Sequence, residues 1–284
     1  MTIETSQEKK STGGAVTASP ASGFLWSRRL GVMAVRFVII GGFLLLWEIA
    51  SGNWIEPFLI SSPSRILISL IAGFRSGDLI QHTWVTFQEI AIGFPAGVVL
   101  GIGLGYAFGR SQILAEIFEP IIIALNGIPR TALAPLFIVW LGIGIWSKVG
   151  VVFLLTFFLN FFNTYAGMRQ LDQEYVDLAR LMGARGWKLT FRVILPAISP
   201  FVFTGIRTSI PFSVIGAIVG EFVAATEGVG FFIRQAAGLF RTADVFVGII
   251  VLMLMVIAID KVAELIERRA LRWQAHTDHV TIQG

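Results

Sequence analysis

The stretch Glu174-Tyr-Val-Asp-Leu-Ala-Arg-Leu-Met-Gly-Ala-Arg-Gly-Trp-Lys-Leu-Thr-Phe-Arg-Val-Ile-Leu-Pro196 decides how this chain is read. It is an amphipathic island between long apolar segments. Its charges are too many for lipid, yet the chain on either side must enter lipid. Such a segment lies at the membrane surface, where a soluble partner can reach it.

The composition makes the membrane reading nearly unavoidable. Of 284 residues, 55% are hydrophobic and 14% are charged, whereas a soluble domain carries about 25% charged residues. A mean hydropathy of +0.77 agrees. There is no cysteine, which excludes disulfides and thiolate chemistry. The histidines His82, His276 and His279 show no metal-ligand spacing beyond the last pair, which falls in a polar tail. A net charge of +4 fits basic cytoplasmic loops better than nucleic-acid binding, and no nucleic-acid partner is expected.

A membrane-crossing helix needs about 20 mainly apolar residues. Six segments qualify, at about Gly31–Ala50, Phe87–Gly109, Leu114–Gly142, Val149–Met168, Phe201–Phe222 and Val245–Leu265. The third is interrupted near Gly127-Ile-Pro-Arg130. The expected fold is therefore an all-α integral membrane protein with six transmembrane helices. Residues 1–28 read as a disordered cytoplasmic tail, without the pattern of a cleaved signal peptide. Residues 29–270 read as one six-helix domain containing a cytoplasmic loop at 171–196, and 271–284 as a second cytoplasmic tail.

Charge counting sets the orientation. With the N-terminus inside, the cytoplasmic segments hold 14 Lys and Arg and the outer segments hold 5 (Arg65, Arg75, Lys148, Arg234 and Arg241). That bias places both termini and the Glu174–Pro196 island in the cytoplasm. Residues 51–86 are expected to form an outer cap with a short surface helix. Residues 224–243 read as a re-entrant or interfacial turn.

Gly93, Gly97, Gly101, Gly105 and Gly109 recur every four residues on the second helix. Residues four apart share a face, so they form a bare stripe about 24 Å long. Such a stripe lets another helix approach closely. Gly101-x-Gly103-x-Gly105 follows no strand and is not a nucleotide loop. Pro95 is expected to kink the helix.

The broken third segment has two readings. Asn126, Pro129 and Arg130 form either an ordinary loop or a broken helix lining a cavity, where freed carbonyls and Arg130 meet a polar substrate. Arg207, in the fifth helix, either neutralises an anionic substrate or pairs with a carboxylate for stability. Glu221 is read as a residue at the mouth of the outer loop with a role in gating.

Within the island, Asp177-Leu178-Ala179, Gly183 and Val193-Ile194-Leu195-Pro196 mark a helix–turn–helix. Gly183 and Gly186 permit the turn, and Pro196 ends the second helix. This spacing resembles the signature cytoplasmic loop of bacterial ATP-binding-cassette (ABC) importer permeases. Their pattern is Glu-Ala-Ala, three residues, Gly, nine residues, Ile-x-Leu-Pro. Asp for Glu, Leu for Ala and Val for Ile are mild departures. Leu59-Ile-Ser-Ser-Pro63-Ser resembles the family's outer Pro-Ser-Pro turn, and Ile128-Pro129 through Lys148 and Glu227-Gly228-Val-Gly230 resemble the nitrate, sulfonate, taurine and bicarbonate branch.

The resemblance implies a type I (MetI-like) permease subunit with no catalytic residue. It implies that the loop docks on a separate ATPase through Asp177, Ala179, Arg180, Gly183, Leu195 and Pro196. It further implies an extracytoplasmic substrate-binding protein and a second copy of the chain around a central path. This chain itself would hold no cofactor, because ATP and Mg bind the partner ATPase. Consistently, none of the lysines at 9, 10, 148, 188 and 261 follows Gly-x-x-x-x-Gly, so a P-loop is absent. A small anion is the expected solute, with a neutral ring compound such as a pyrimidine precursor as the alternative. An ATP-independent secondary transporter is the third reading, but the chain shows neither an internal repeat nor an intramembrane acid or His relay.

Overall fold

A computed structural model describes residues 22–270. Residues 1–21 and 271–284, most of the two expected tails, lie outside the described residues. Five helices are long and apolar enough to cross a membrane. They belong to α1 (Ser22–Asn53), α4 (Asp78–Arg110), α7 (Ile145–Arg169), α10 (Leu195–Ala224) and α12 (Thr242–Ala270). The remaining expected crossing is two helices, α5 (Gln112–Asn126) and α6 (Ala134–Leu141), joined through a 3-10 turn at Arg130–Leu133. Pro129, at φ −68° and ψ 93°, breaks the helix, and Pro135 sits in the first turn of α6. A proline starts a helix without loss because the first amides have no intrahelical partner.

The outer cap consists of α2 (Pro57–Ile60) and the amphipathic α3 (Pro63–Ser76). Ser62 caps α3 by accepting from the Arg65 amide. Glu48 of α1 supports the same end, accepting from the Ser64 amide at 3.0 Å and its hydroxyl at 2.6 Å. Thus a carboxylate that the sequence places near the end of a crossing anchors the outer cap.

Segment 224–243 differs from expectation. Val229–Gly238 forms a helix, α11, against α12, α10 and α4. The glycines that suggested a turn make room for Glu221: a side chain at Gly228 or Gly230 would strike it, and Gly228 also takes φ +106°. The apolar core that α11 joins includes Ile66, Leu79, Ile90, Val152, Val214, Phe232 and Val247. It therefore unites α3, α4, α7, α10, α11 and α12.

The glycine stripe organises the centre. Gly93, Gly97, Gly101 and Gly105 of α4 face Val152, Thr156, Asn160 and Thr164 of α7, and Gly109 faces Met168. Both series advance by four, so the two helices run parallel and in step. A Cβ at Gly101 would stand 2.6 Å from the Phe157 carbonyl oxygen and 2.9 Å from Asn160 Cβ. Only glycine permits this approach, and α4–α7 is the most extensive helix contact. The α4 helix is continuous through Pro95.

Much apolar surface points outward. Phe37, Val38 and Ile39 of α1 are exposed, as expected where the surrounding solvent is hydrocarbon.

Candidate functional site: the exposed face of the 171–196 loop

The loop expected from the sequence is built from α8 (Gln173–Leu181), α9 (Trp187–Leu189) and a π turn, Thr190–Ile194, that leads into α10. Asp172 caps α8, its carboxylate accepting from the Glu174 amide at 2.9 Å. The helix closes in a Schellman motif. Gly183 N–H donates to the Arg180 carbonyl at 3.0 Å, and Ala184 N–H to that of Ala179 at 2.9 Å. This closure needs the left-handed residue that Gly183 provides at φ +88°.

One face of the loop packs inward. Val176, Leu189, Ile194 and Ile198 are buried with Met168, and Ala179 and Leu195 lean on that cluster. The other face presents Tyr175, Leu178, Leu181, Met182 and Trp187 to the outside, Leu181 at 86% exposure and Trp187 at 77%. Asp177 and Arg180 pair at 2.9 Å beside them. Trp187 also lies against Phe191, with ring centroids 4.0 Å apart. An apolar surface of this kind on a charged loop is the pattern of a binding face.

Pro196 has a different structural place from that expected. The helix does not end there, and an unbroken helical segment runs from Trp187 to Ala224. The Leu195 amide bonds the Thr190 carbonyl five residues back, and Pro196 lies in the first turn of α10. The π turn absorbs the missing proline donor without breaking the chain direction. The turn is also tied to α4. Tyr106 Oη and Thr190 Oγ1 are 2.7 Å apart, and Arg110 donates to both, at 2.7 Å and 3.2 Å.

The pathway candidates fall into three separate surroundings. Arg130 projects from the broken crossing onto α7, its guanidinium 4.7 Å from the centre of the Phe158 ring and 5.9 Å from that of Phe162. Pro129 is exposed beside it. Asn126 ends α5, but its side chain lies outside what the structure describes. Arg207 pairs with Asp260 at 3.3 Å and Glu267 at 3.4 Å, both on α12.

Glu221 is fully buried near the C-terminal end of α10. There the first amides of α11 are satisfied one by one by side chains of other helices. Gly228 N–H donates to His82 Nδ1 at 3.1 Å, Val229 N–H to Thr86 Oγ1 at 2.8 Å, and Gly230 N–H to Glu221. Thr86 in turn donates to Glu221 at 2.7 Å. His82, Thr86 and the neighbouring Glu89 and Lys148, all buried, were not among the expected site residues. The glycine stripe held the clue, since one step above Gly93 lies Glu89, and one step above Val152 lies Lys148.

Residues 93–272 match the family described as binding-protein-dependent transport system inner membrane component. The chain is 35% identical to the formylaminopyrimidine transport permease protein ThiX of Halalkalibacterium halodurans, over 81% of this chain and 92% of that protein. It is 30% identical to the putative aliphatic sulfonates transport permease protein SsuC of Bacillus subtilis, over 81% and 84%. In fold it resembles the inward-facing MetNI methionine ABC transporter, with a TM-score of 0.57 at 20% identity, over 67% of this chain and 95% of that one. The chain thus belongs to the binding-protein-dependent inner membrane component family, and it is a permease subunit of an ABC importer rather than an enzyme.

Proposed function

We propose that this permease receives its driving force through the exposed face of Tyr175, Leu178, Leu181, Met182 and Trp187. The observation that carries the reading is that these large apolar side chains stand outward on a loop rich in charge. A separate ATPase subunit, holding ATP and Mg, covers this face from the cytoplasm. Both termini lie on the same side, and an extracytoplasmic binding protein delivers solute to the opposite side. Two copies of the chain enclose the path, because six crossings make a thin wall. ATP-driven closure of the ATPases moves the loops, and the bundle alternates between inward-open and outward-open states.

The solute is a small anion of the sulfonate or taurine type, with nitrate and bicarbonate in the same class. The guanidinium of Arg130 at the broken crossing supports this, as do relatives named for sulfonates and taurine. A neutral ring compound is the second reading. It is favoured by the relatives named for formylaminopyrimidine and riboflavin.

The test is ATPase activity of the permease co-expressed with its ATPase and binding protein in lipid. The panel holds alkyl sulfonates, taurine, nitrate, bicarbonate and pyrimidines. Stimulation by a sulfonate or taurine is expected. Stimulation by a pyrimidine alone would replace the anion reading with the second one. Failure of the ATPase to co-purify would remove the coupling reading.

A further inference from the structure

The polar cluster that bolts the first turn of α11 in place, here the outer bolt, holds two buried carboxyl groups, Glu89 and Glu221, and one buried cation, Lys148. Glu89 of α4 is 1% exposed and Glu221 of α10 is 0% exposed. Thr86, one turn before Glu89 on α4, donates to Glu221 at 2.7 Å, which sets the two carboxyl groups side by side. No protein donor reaches Glu89 Oε2. Two ionised carboxylates are acceptors only and repel one another, and a proton on one of them removes the repulsion.

The surrounding charges support the same count. Lys148 of α7 faces both carboxyls and is 4% exposed. Its ammonium donates to the Ile143 and Gly144 carbonyls, each at 3.1 Å. One ammonium balances one carboxylate. A second ionised carboxylate would be an unbalanced charge inside the membrane.

Among the described residues no other group supplies the balance. On α4, His82 accepts the Gly228 amide at Nδ1, so its ring is neutral. Its Nε2 faces Asp78, 3.6 Å away at the exposed helix start. On α11, Arg234 is turned to the Phe222 and Ala225 carbonyls. Glu227, in the loop before α11, accepts from Gln81. Glu221 already receives Thr86 and the Gly230 amide, so it is the ionised partner and Glu89 carries the proton.

We propose that Glu89 and Glu221 form a binding site for one proton, and that this proton fastens α11 to α4 and α10. Loss of the proton leaves two anions facing one ammonium. It thereby loosens the carboxylate that holds the first turn of α11. The folded form then carries a proton that the opened form releases, so stability falls as pH rises. The site lies at the opposite end of the molecule from the coupling surface and stands without that reading.

The test is infrared spectroscopy of the permease–ATPase complex in lipid, in water and in heavy water. Glu89 and Glu221 are the buried carboxyls among the described residues. The wild type should show the C=O stretch of one buried protonated acid, shifted in heavy water. E89Q should lose that band and remove the fall in thermal midpoint at alkaline pH. K148M should gain a second band of equal size, because both carboxyls must then be neutral. If E89Q does not assemble, the wild-type and K148M bands decide the matter. A wild type with no such band, or a K148M spectrum unchanged from it, would overturn the proposal. So would restoration of alkaline stability by sodium, because the occupant would then be a metal cation.

Discussion

The two ends of this molecule are patterned in opposite ways. At the outer end, Glu89, Lys148 and Glu221 are polar groups buried where apolar ones would pack more cheaply. At the end that carries the 171–196 loop, Leu181, Met182 and Trp187 are apolar groups exposed where polar ones would be better solvated. Between them, the α4–α7 contact follows the packing rules closely. The inversions fall where α11 is fastened and where a partner would dock, while the connecting rod is conventional. Departures from local rules are expected at working sites, and here they sit at both ends of one rigid pair.

The harshest way to break this comparison is to separate the rod. Gly101→Leu places a side chain against the Phe157 carbonyl and Asn160. It should cost about 3 kcal/mol or prevent assembly, measured as the yield and thermal midpoint of purified protein. Normal yield would mean that the ends are not linked by tight helix packing. Next in size, Glu221→Leu removes the acceptor for the Gly230 amide and Thr86. The expected loss is about 2 kcal/mol, seen as faster hydrogen exchange across α11, with ATPase association unchanged. Exchange that rises equally in α8 would show that the two ends are not separable.

At the other end, Trp187→Ala should leave folding intact, because the ring is 77% exposed. It should weaken ATPase association by about 2 kcal/mol, roughly 30-fold in affinity. Titration of the purified subunits checks this, and unchanged affinity would remove Trp187 from the docking face. The smallest effect is expected from Arg207→Gln. Its ion pairs with Asp260 and Glu267 are partly exposed, and such pairs contribute about 0.5 kcal/mol. Transport that collapses at unchanged thermal midpoint would give Arg207 a direct part in handling solute.

The crossings and the α4–α7 contact were legible because each repeats a simple rule many times. Twenty apolar residues announce a span, and a glycine every fourth residue announces a contact. The outer bolt was harder to see because each member is a lone residue near a helix end. Lys148, counted as an outer-loop charge, turns back to the carbonyls of its own approach, Ile143 and Gly144. Glu227-Gly-Val-Gly230 looked like a turn, since glycine signals both a special φ and a close approach. Gly228 uses both and Gly230 the second, and a helix begins between them. The π turn before Pro196 was invisible for a related reason. Proline in a sequence marks a lost donor without showing whether the backbone stops or winds more loosely.

The in-step meshing of α4 with α7 limits how this subunit can move. Each glycine notch receives one residue of its neighbour, so the pair resembles two toothed racks. Sliding one past the other would mean jumping a whole notch, about 6 Å of helix rise. A smaller axial shift drives a side chain into bare backbone. The pair is therefore free to tilt as one piece but not to shear. The Tyr106–Thr190 link joins it to the turn before α10. A tilt imposed there would reach the membrane's far side at full amplitude, as in a seesaw whose plank does not bend.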